Sequence, residues 1–303
     1  MRAQLLPLVT CCACGVVPAA CAMASWHRTI AIAPAAGPTG IAALGELRNL
    51  CREERNMDTL QVRALCRDAE EEVMCRRAVC GARVCEGSIS DLCHSSFPSL
   101  ETSAVLPPLW SDASSEILEA SGILEASLSG CTTLLILLDD IHPVLNDVAP
   151  GEQVVMMPTD SRKMLHQCLA QNIILMDAAA SAGVDHIILH SALGAADSSY
   201  THLQTVRMGG AAHLSLRREL EEHLKRRLDN DSPPVRHTIL RAAPYATTQQ
   251  LADRRLAVDS EWRSVKPPLT SPEVLARAAI KAALYTRPNT LERHVTREVV
   301  VPA

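Results

Sequence analysis

Residues 28–40, RTIAIAPAAGPTG, decide how the rest of the chain is read. RTIAIAPA is a short β-rich run, and the segment from Gly37 to Arg48 places Ile41, Leu44 and Leu47 at i, i+3 and i+6, the stripe of a helix. A strand that turns through small residues directly into a helix is the layout of a phosphate-binding loop, although one of the usual glycines is missing. The helix N-terminus and the loop amides still offer an anion site.

Outward from this turn the alternation repeats. LQVRALCRD (60–68) reads as a second strand, AEEEVMCRRAVC (69–80) as a helix, and ARVCEGSISD (82–91) as a third strand running into a loop. Residues 94–129 are rich in Ser and Pro and repeat ILEAS at 117–121 and 123–127. That period is too short for a solenoid, so the stretch reads as an irregular exposed insertion. CTTLLILL (131–138) is the continuous apolar run of a strand buried on both faces. After a Pro- and Asp-rich loop, a helix over about 161–182 carries Leu165, Leu169, Ile173, Met176 and Ala180 on one side and stops at Gly183. VDHIILHS (184–191) is a fifth strand. Leu214 to Leu228 is an amphipathic helix with Leu216, Leu220, Leu224 and Leu228 inside and Glu221–Lys225 and Glu222–Arg226 pairs outside. HTILRA (237–242) is a sixth strand, and Ser271 caps a helix that has Pro272 at its first position and runs to about Tyr285. This order predicts an α/β fold, a doubly wound parallel Rossmann-like sheet with a small C-terminal substrate lobe at about 243–268. Ligands on such a sheet bind beyond the strands' carboxyl ends, here at loops 33–40, 66–68, 138–143 and 190–195.

Composition narrows the partners. The chain has 303 residues, 48% apolar and 21% charged, enough for one large core. Only 2% are aromatic, and Phe97 is the one phenylalanine, so any pocket is aliphatic. A net charge of −5 without a Lys/Arg tract argues against nucleic acid as a direct partner. Of the 12 cysteines, Cys51, Cys66, Cys75, Cys80, Cys85, Cys93, Cys131 and Cys168 form no paired CxxC grouping and are expected as free thiols in a reducing compartment, with no metal site, while Cys11, Cys12 and Cys14 of the leader stay open to lipidation or metal binding. Residues 1–25 are an apolar, Cys-rich leader in which Ala22-Met23-Ala24 resembles a cleavage site, and the domain is expected over 26–303. The expected location is cytoplasmic; the leader leaves a targeting signal or membrane anchor open, and no other segment is long enough to span a bilayer.

The motifs in this order resemble the NmrA-like branch of the atypical short-chain dehydrogenases/reductases. Ala33-Pro34-Ala35-Ala36-Gly37-Pro38-Thr39-Gly40 aligns with that family's Thr-Gly-Ala-Thr-Gly-x-x-Gly turn, with Pro34 in the first glycine position. Val62 to Asp68 is similar to its second strand, GARVCEGSISD to its third with Ser88 for the usual acid, DAAASAGVDHIILHSALGA to its fifth, and HTILRA to its sixth with Ala242 for proline. The resemblance covers about residues 28–285. It implies cofactor binding by Ala35, Gly37, Thr39, Gly40, Arg67, Leu138 and Ser191. Arg67, at a strand end where an acid would bond the ribose of NAD, favours NADP (NADPH) through its 2′-phosphate.

The chemistry implied by the resemblance is thinner. None of Tyr200, Tyr245 and Tyr285 has the lysine four residues on that the wider superfamily uses. His213 and Arg217 stand in the equivalent helix, and Ser191 lies where the family places a hydroxyl near the nicotinamide; these three are the candidate catalytic residues. Arg217 cannot exchange a proton at neutral pH, whereas His213 can. Two readings stay open. One is an NADP-preferring oxidoreductase acting on a small carbonyl or quinone-like substrate. The other is a non-catalytic NADP(H)-sensing or protein-interaction regulator, whose partner is another protein.

Overall fold

The structure, a computed structural model, describes residues 28–53, 60–80, 100–104, 106, 114–149, 152–156, 162–196, 210–230, 235–246, 269–285 and 294–299. Strand β1 (Arg28–Ala33) shows why the sheet is central. Its Ile30 and Ile32 point into one apolar layer, its Ala31 and Ala33 into the other, and all four are fully buried. The continuation of β1 is helix α1 (Pro38–Glu53), followed by β2 (Leu60–Cys66), α2 (Ala69–Cys80), β3 (Leu100–Ala104), α3 (Ser114–Leu128) and β4 (Thr133–Ile136). A hairpin of β5 (Val144–Ala149) and β6 (Glu152–Met156) comes next, then α4 (Arg162–Ser181), β7 (His186–Ala192), α5 (Ala211–Asn230), β8 (Arg236–Ala242), α6 (Pro272–Tyr285) and β9 (His294–Val299).

The main sheet has the order β3-β2-β1-β4-β7-β8-β9, and every neighbouring pair is parallel. Helices α1, α2 and α6 cover one face, where Leu44, Leu47, Val79, Leu275 and Ile280 meet Ile32, Leu135 and Leu240. Helices α3, α4 and α5 cover the other with Leu128, Leu175 and Leu220 against Leu134, Ile136 and Ile239. The chain runs outward from β1 to β3, then returns to lay β4 on β1's other side. The switch point therefore lies between β1 and β4.

Several expectations need correction. The third strand expected at 82–91 falls outside the described residues, as do the leader at 1–25 and 247–268 of the substrate lobe. The strand actually paired with β2 is Leu100–Ala104, with Val62 opposite Leu100. Its sequence, LETSA, lacks an apolar run, and among the described residues β3 has one neighbour in the sheet. The stretch read as irregular also holds α3. The second ILEAS copy supplies Leu124, which together with Leu128 one turn later is buried, while Ile123 stays exposed. The β5/β6 hairpin and β9 were not expected at all. Arg63 donates to Glu101 at 2.8 Å and to the carbonyls of Ser127 and Ser129, tying β2 to β3 and to the C-terminal end of α3. Glu221, expected on the outer face of α5, is buried. Among the described cysteines, Cys66, Cys75, Cys131 and Cys168 are free thiols.

Candidate functional site

The turn after β1 positions the site. The Ala33–Pro34 peptide bond is cis, Ala35 donates its N–H to the Leu65 carbonyl at 3.0 Å, and Ile41 donates to Gly37, closing the first turn of α1. Neither Gly37 nor Gly40 has positive φ, so both serve close approach rather than a left-handed bend. A Cβ on Gly40 would run into the Ala35 carbonyl, and one on Gly37 would stand 2.5 Å from an oxygen of Asp139.

That carboxylate occupies the helix N-terminus. Asp139, in a short 3-10 turn just beyond β4, accepts the Thr39 N–H through Oδ2 and the Thr39 hydroxyl through Oδ1, both at 2.7 Å. Tyr245, which follows β8, donates its hydroxyl to the same Oδ1 at 2.7 Å and lies 2.6 Å from Thr39 Oγ1. Pro38, Thr39 and Gly40 form the first turn of α1, where backbone N–H groups lack helical acceptors, so Asp139 acts as a cap supplied from across the sheet. Burial raises its pKa, against the pull of the Thr39 and Tyr245 hydrogen bonds. Burial also lifts the Tyr245 phenol well above its ordinary value, with the neighbouring Asp139 adding to the effect. Thus Ala35, Gly37, Thr39 and Gly40 are gathered in one turn, around an internal anion. Asp139 lies in the 138–143 loop expected at the ligand end of the sheet, although its pairing with Thr39 was not foreseen, and Tyr245 was missed as a member of this site. The only signal for Asp139 was its place immediately after the apolar β4 run.

Arg67 ends β2 and is committed to two carboxylates. Its side chain meets Glu71 at 2.6 Å and Asp140 at 3.1 Å, while its N–H donates to Glu71 at 2.7 Å. Asp68 caps α2 by accepting the Glu71 N–H. Burial works against the Arg67 charge, but Asp140 and Glu71 outweigh it and raise its pKa. Arg67, Pro34, Leu137, Leu138, Leu124 and Asn172 line an open pocket at the β1/β4 switch point. The apolar part of its lining is aliphatic, and Asp140 and Gln171 add to the polar groups of Arg67 and Asn172.

The three candidate catalytic residues sit deeper. Ser191, in β7, is fully buried and donates to Glu221 at 2.7 Å; Arg241 donates to the same carboxylate at 2.6 and 3.0 Å. It faces this ion pair rather than the pocket. Arg217 is also fully buried, donating to the carbonyls of His190 at 2.8 Å and Leu138 at 3.0 Å and to His142 Nδ1 at 3.5 Å. His142 in turn donates Nε2–H to the Ala243 carbonyl at 2.9 Å and packs its ring against those of His190 and Tyr245. His190 approaches Asp139 to 3.9 Å. One buried polar band therefore links Thr39, Asp139, Tyr245, His142, His190 and Arg217. Burial lowers His142, His190 and His213 well below their ordinary pKa, so their rings are neutral, and lowers Arg217 to about 10, still a cation at pH 7. Among the described residues His213 has no hydrogen-bond partner for either ring nitrogen, and neither does His190 Nε2 nor Arg217 Nε. Each such buried donor costs about 1–3 kcal/mol if left bare.

Among the described residues, no group of three His, Cys, Asp or Glu side chains is placed to hold a metal ion, and no helix is long and apolar enough to cross a membrane. No family model matches the sequence, and no curated protein matches it. The architecture does have solved counterparts. A short-chain dehydrogenase/reductase family protein superposes with a TM-score of 0.54 at 14% identity, over 90% of this chain and 95% of its own. A metagenomic short-chain oxidoreductase solved in complex with NADP gives 0.50 at 15% identity, over 91% and 98% of the two chains. A protein solved with UDP-glucose and NAD gives 0.50 at 15% identity, over 91% and 77%. The chain therefore has the α/β Rossmann-like fold of the short-chain dehydrogenase/reductase proteins.

Proposed function

We propose that the chain is an NADP(H)-responsive regulator of the NmrA-like kind, which binds the nucleotide at the switch point and changes its association with a protein partner without hydride transfer. The observation that carries this reading is the Asp139 carboxylate seated on the Thr39 N–H and hydroxyl, where a pyrophosphate would bind. A nucleotide must displace an internal anion, and doing so frees Asp139, Tyr245 and the 3-10 turn that carries them. Binding is thereby coupled to a rearrangement that reaches His190 and Arg217. The pocket beside Arg67 suits an adenosine moiety, and Arg67 recognises a 2′-phosphate once it exchanges Asp140 for the ligand.

The test is calorimetric titration of the protein and of Asp139→Asn with NADPH and NADH. Removing one negative charge from the phosphate position tightens NADPH binding by about tenfold or more, roughly 1.4 kcal/mol. Equal affinities in the two proteins would overturn the displacement. The second reading, an NADP-preferring oxidoreductase on a small carbonyl or quinone, is favoured by the pocket's place at the β1/β4 switch point. NADPH oxidation with any member of a carbonyl and quinone panel would select it over the regulator.

A further inference from the structure

We propose that Arg217, His190 and His213 form an internal binding site for a compact monoanion, the carboxylate group of a small acid or a halide. A hydrogen-bond count leads there. Arg217 uses its two terminal nitrogens on the carbonyls of His190 and Leu138 and on His142, which leaves Nε without an acceptor. His190 accepts the Leu138 N–H at Nδ1, which places its own proton on Nε2, and that donor is unpartnered as well. His213 has both ring nitrogens unpartnered, one of which carries a proton. Three side chains, each 1% exposed or less, thus present three N–H donors without an acceptor.

The surroundings decide which kind of acceptor fits. Neither nearby carboxylate hydrogen-bonds Arg217: Asp139 is committed to Thr39 and Tyr245, and Glu221 to Ser191 and Arg241. His213 lies in the first turn of α5, whose N-terminal end adds positive potential. The cluster is cationic, rich in donors and buried, which is the chemistry that selects a small anion over a neutral ligand. The site uses no residue of the α1 loop and does not rest on the dinucleotide reading.

The experiment uses the full chain labelled with 15N at arginine and histidine, titrated separately with sodium formate and sodium chloride at pH 7 against bulkier sodium methanesulfonate at constant ionic strength. The Arg217 Nε resonance, identified by its loss in Arg217→Lys, shifts saturably with formate, with chloride, or with both. Saturation by formate alone identifies a carboxylate site; saturation by chloride identifies one open to halides. His213→Leu weakens binding about tenfold or more, and His213→Gln, which keeps a donor, restores it. Melting temperature follows the same order, rising with the anion in the wild type and the Gln variant and staying flat in the Leu variant. Absence of saturation with either anion, or saturation unchanged in a folded His213→Leu protein, overturns the proposal. Formate and chloride report on this cluster and NADPH on the α1 loop, so either assignment can fail without the other.

Discussion

Within α1, two glycines five residues apart have opposite jobs. Gly40 lies against the Ala35 backbone, whereas nothing lies within 4 Å of a Cβ built on Gly45. Gly40→Ala must push the turn away from the helix and destabilises the fold by about 1–3 kcal/mol. Gly45→Ala, in an open helix interior, stabilises it by about 0.5–1 kcal/mol. Opposite signs in denaturant midpoints check this pair, and a neutral Gly40→Ala would show that the turn is not packed as described. Thr39 shows what residue-level reading misses. As one small residue in an Ala- and Gly-rich turn it fits a phosphate loop, yet its partner is Asp139, 100 residues away. Nothing local in the sequence encodes that pairing.

Elements with a strong period were legible, and their ends followed from local chemistry. Ser271 accepts the Val274 N–H at 3.3 Å and Pro272 takes the first position of α6, as read from the sequence. Helix α6 packs against α1 and carries Leu275, Ala279 and Ile280 into the core, so its cap matters to the whole sheet face. Ser271→Ala lowers stability by about 1 kcal/mol in chemical denaturation, while Ser271→Asp retains it. An unchanged midpoint for Ser271→Ala would remove the cap from the account. Elements at the margin were not legible. Among the described residues β3 and β9 are the two edges of the sheet, each with a single neighbour, and LETSA and HVTREV carry no strong apolar alternation in sequence to betray them. Helix α3 was hidden by serine content, although its Leu124 and Leu128 lie one turn apart on a buried face.

Across the whole molecule, the buried histidines set the response to acid. His142, His190 and His213 are held well below their ordinary pKa by burial, and His186, beside Thr238, is lowered to about 3 by burial and by Arg236. A lowered folded-state pKa means that the unfolded chain binds more protons as pH falls below about 6.5, so stability declines from there downward. For His186 the decline continues to about pH 3. Each histidine contributes roughly 1.4 kcal/mol per pH unit within its window. Asp139 acts in the opposite sense: its raised pKa makes the folded state hold a proton above 3.8, which offsets part of the loss at the acid end. Urea midpoints therefore fall steeply between pH 7 and pH 5. A flat profile over that range would show that these rings are not buried in the neutral state.

The sequence by itself determined the β-α alternation, the parallel sheet and the place of the turn between β1 and α1, because apolar periodicity and turn chemistry are local properties. Only the tertiary structure decided what occupies the loop and where the candidate catalytic groups face. Asp139 reaches Thr39 because β4 lies beside β1, and Ser191 meets Glu221 because α5 packs on the sheet face formed by β7 and β8. Such pairings are selected by the cost of burying charge without a partner, a quantity that depends on the completed fold and not on sequence spacing.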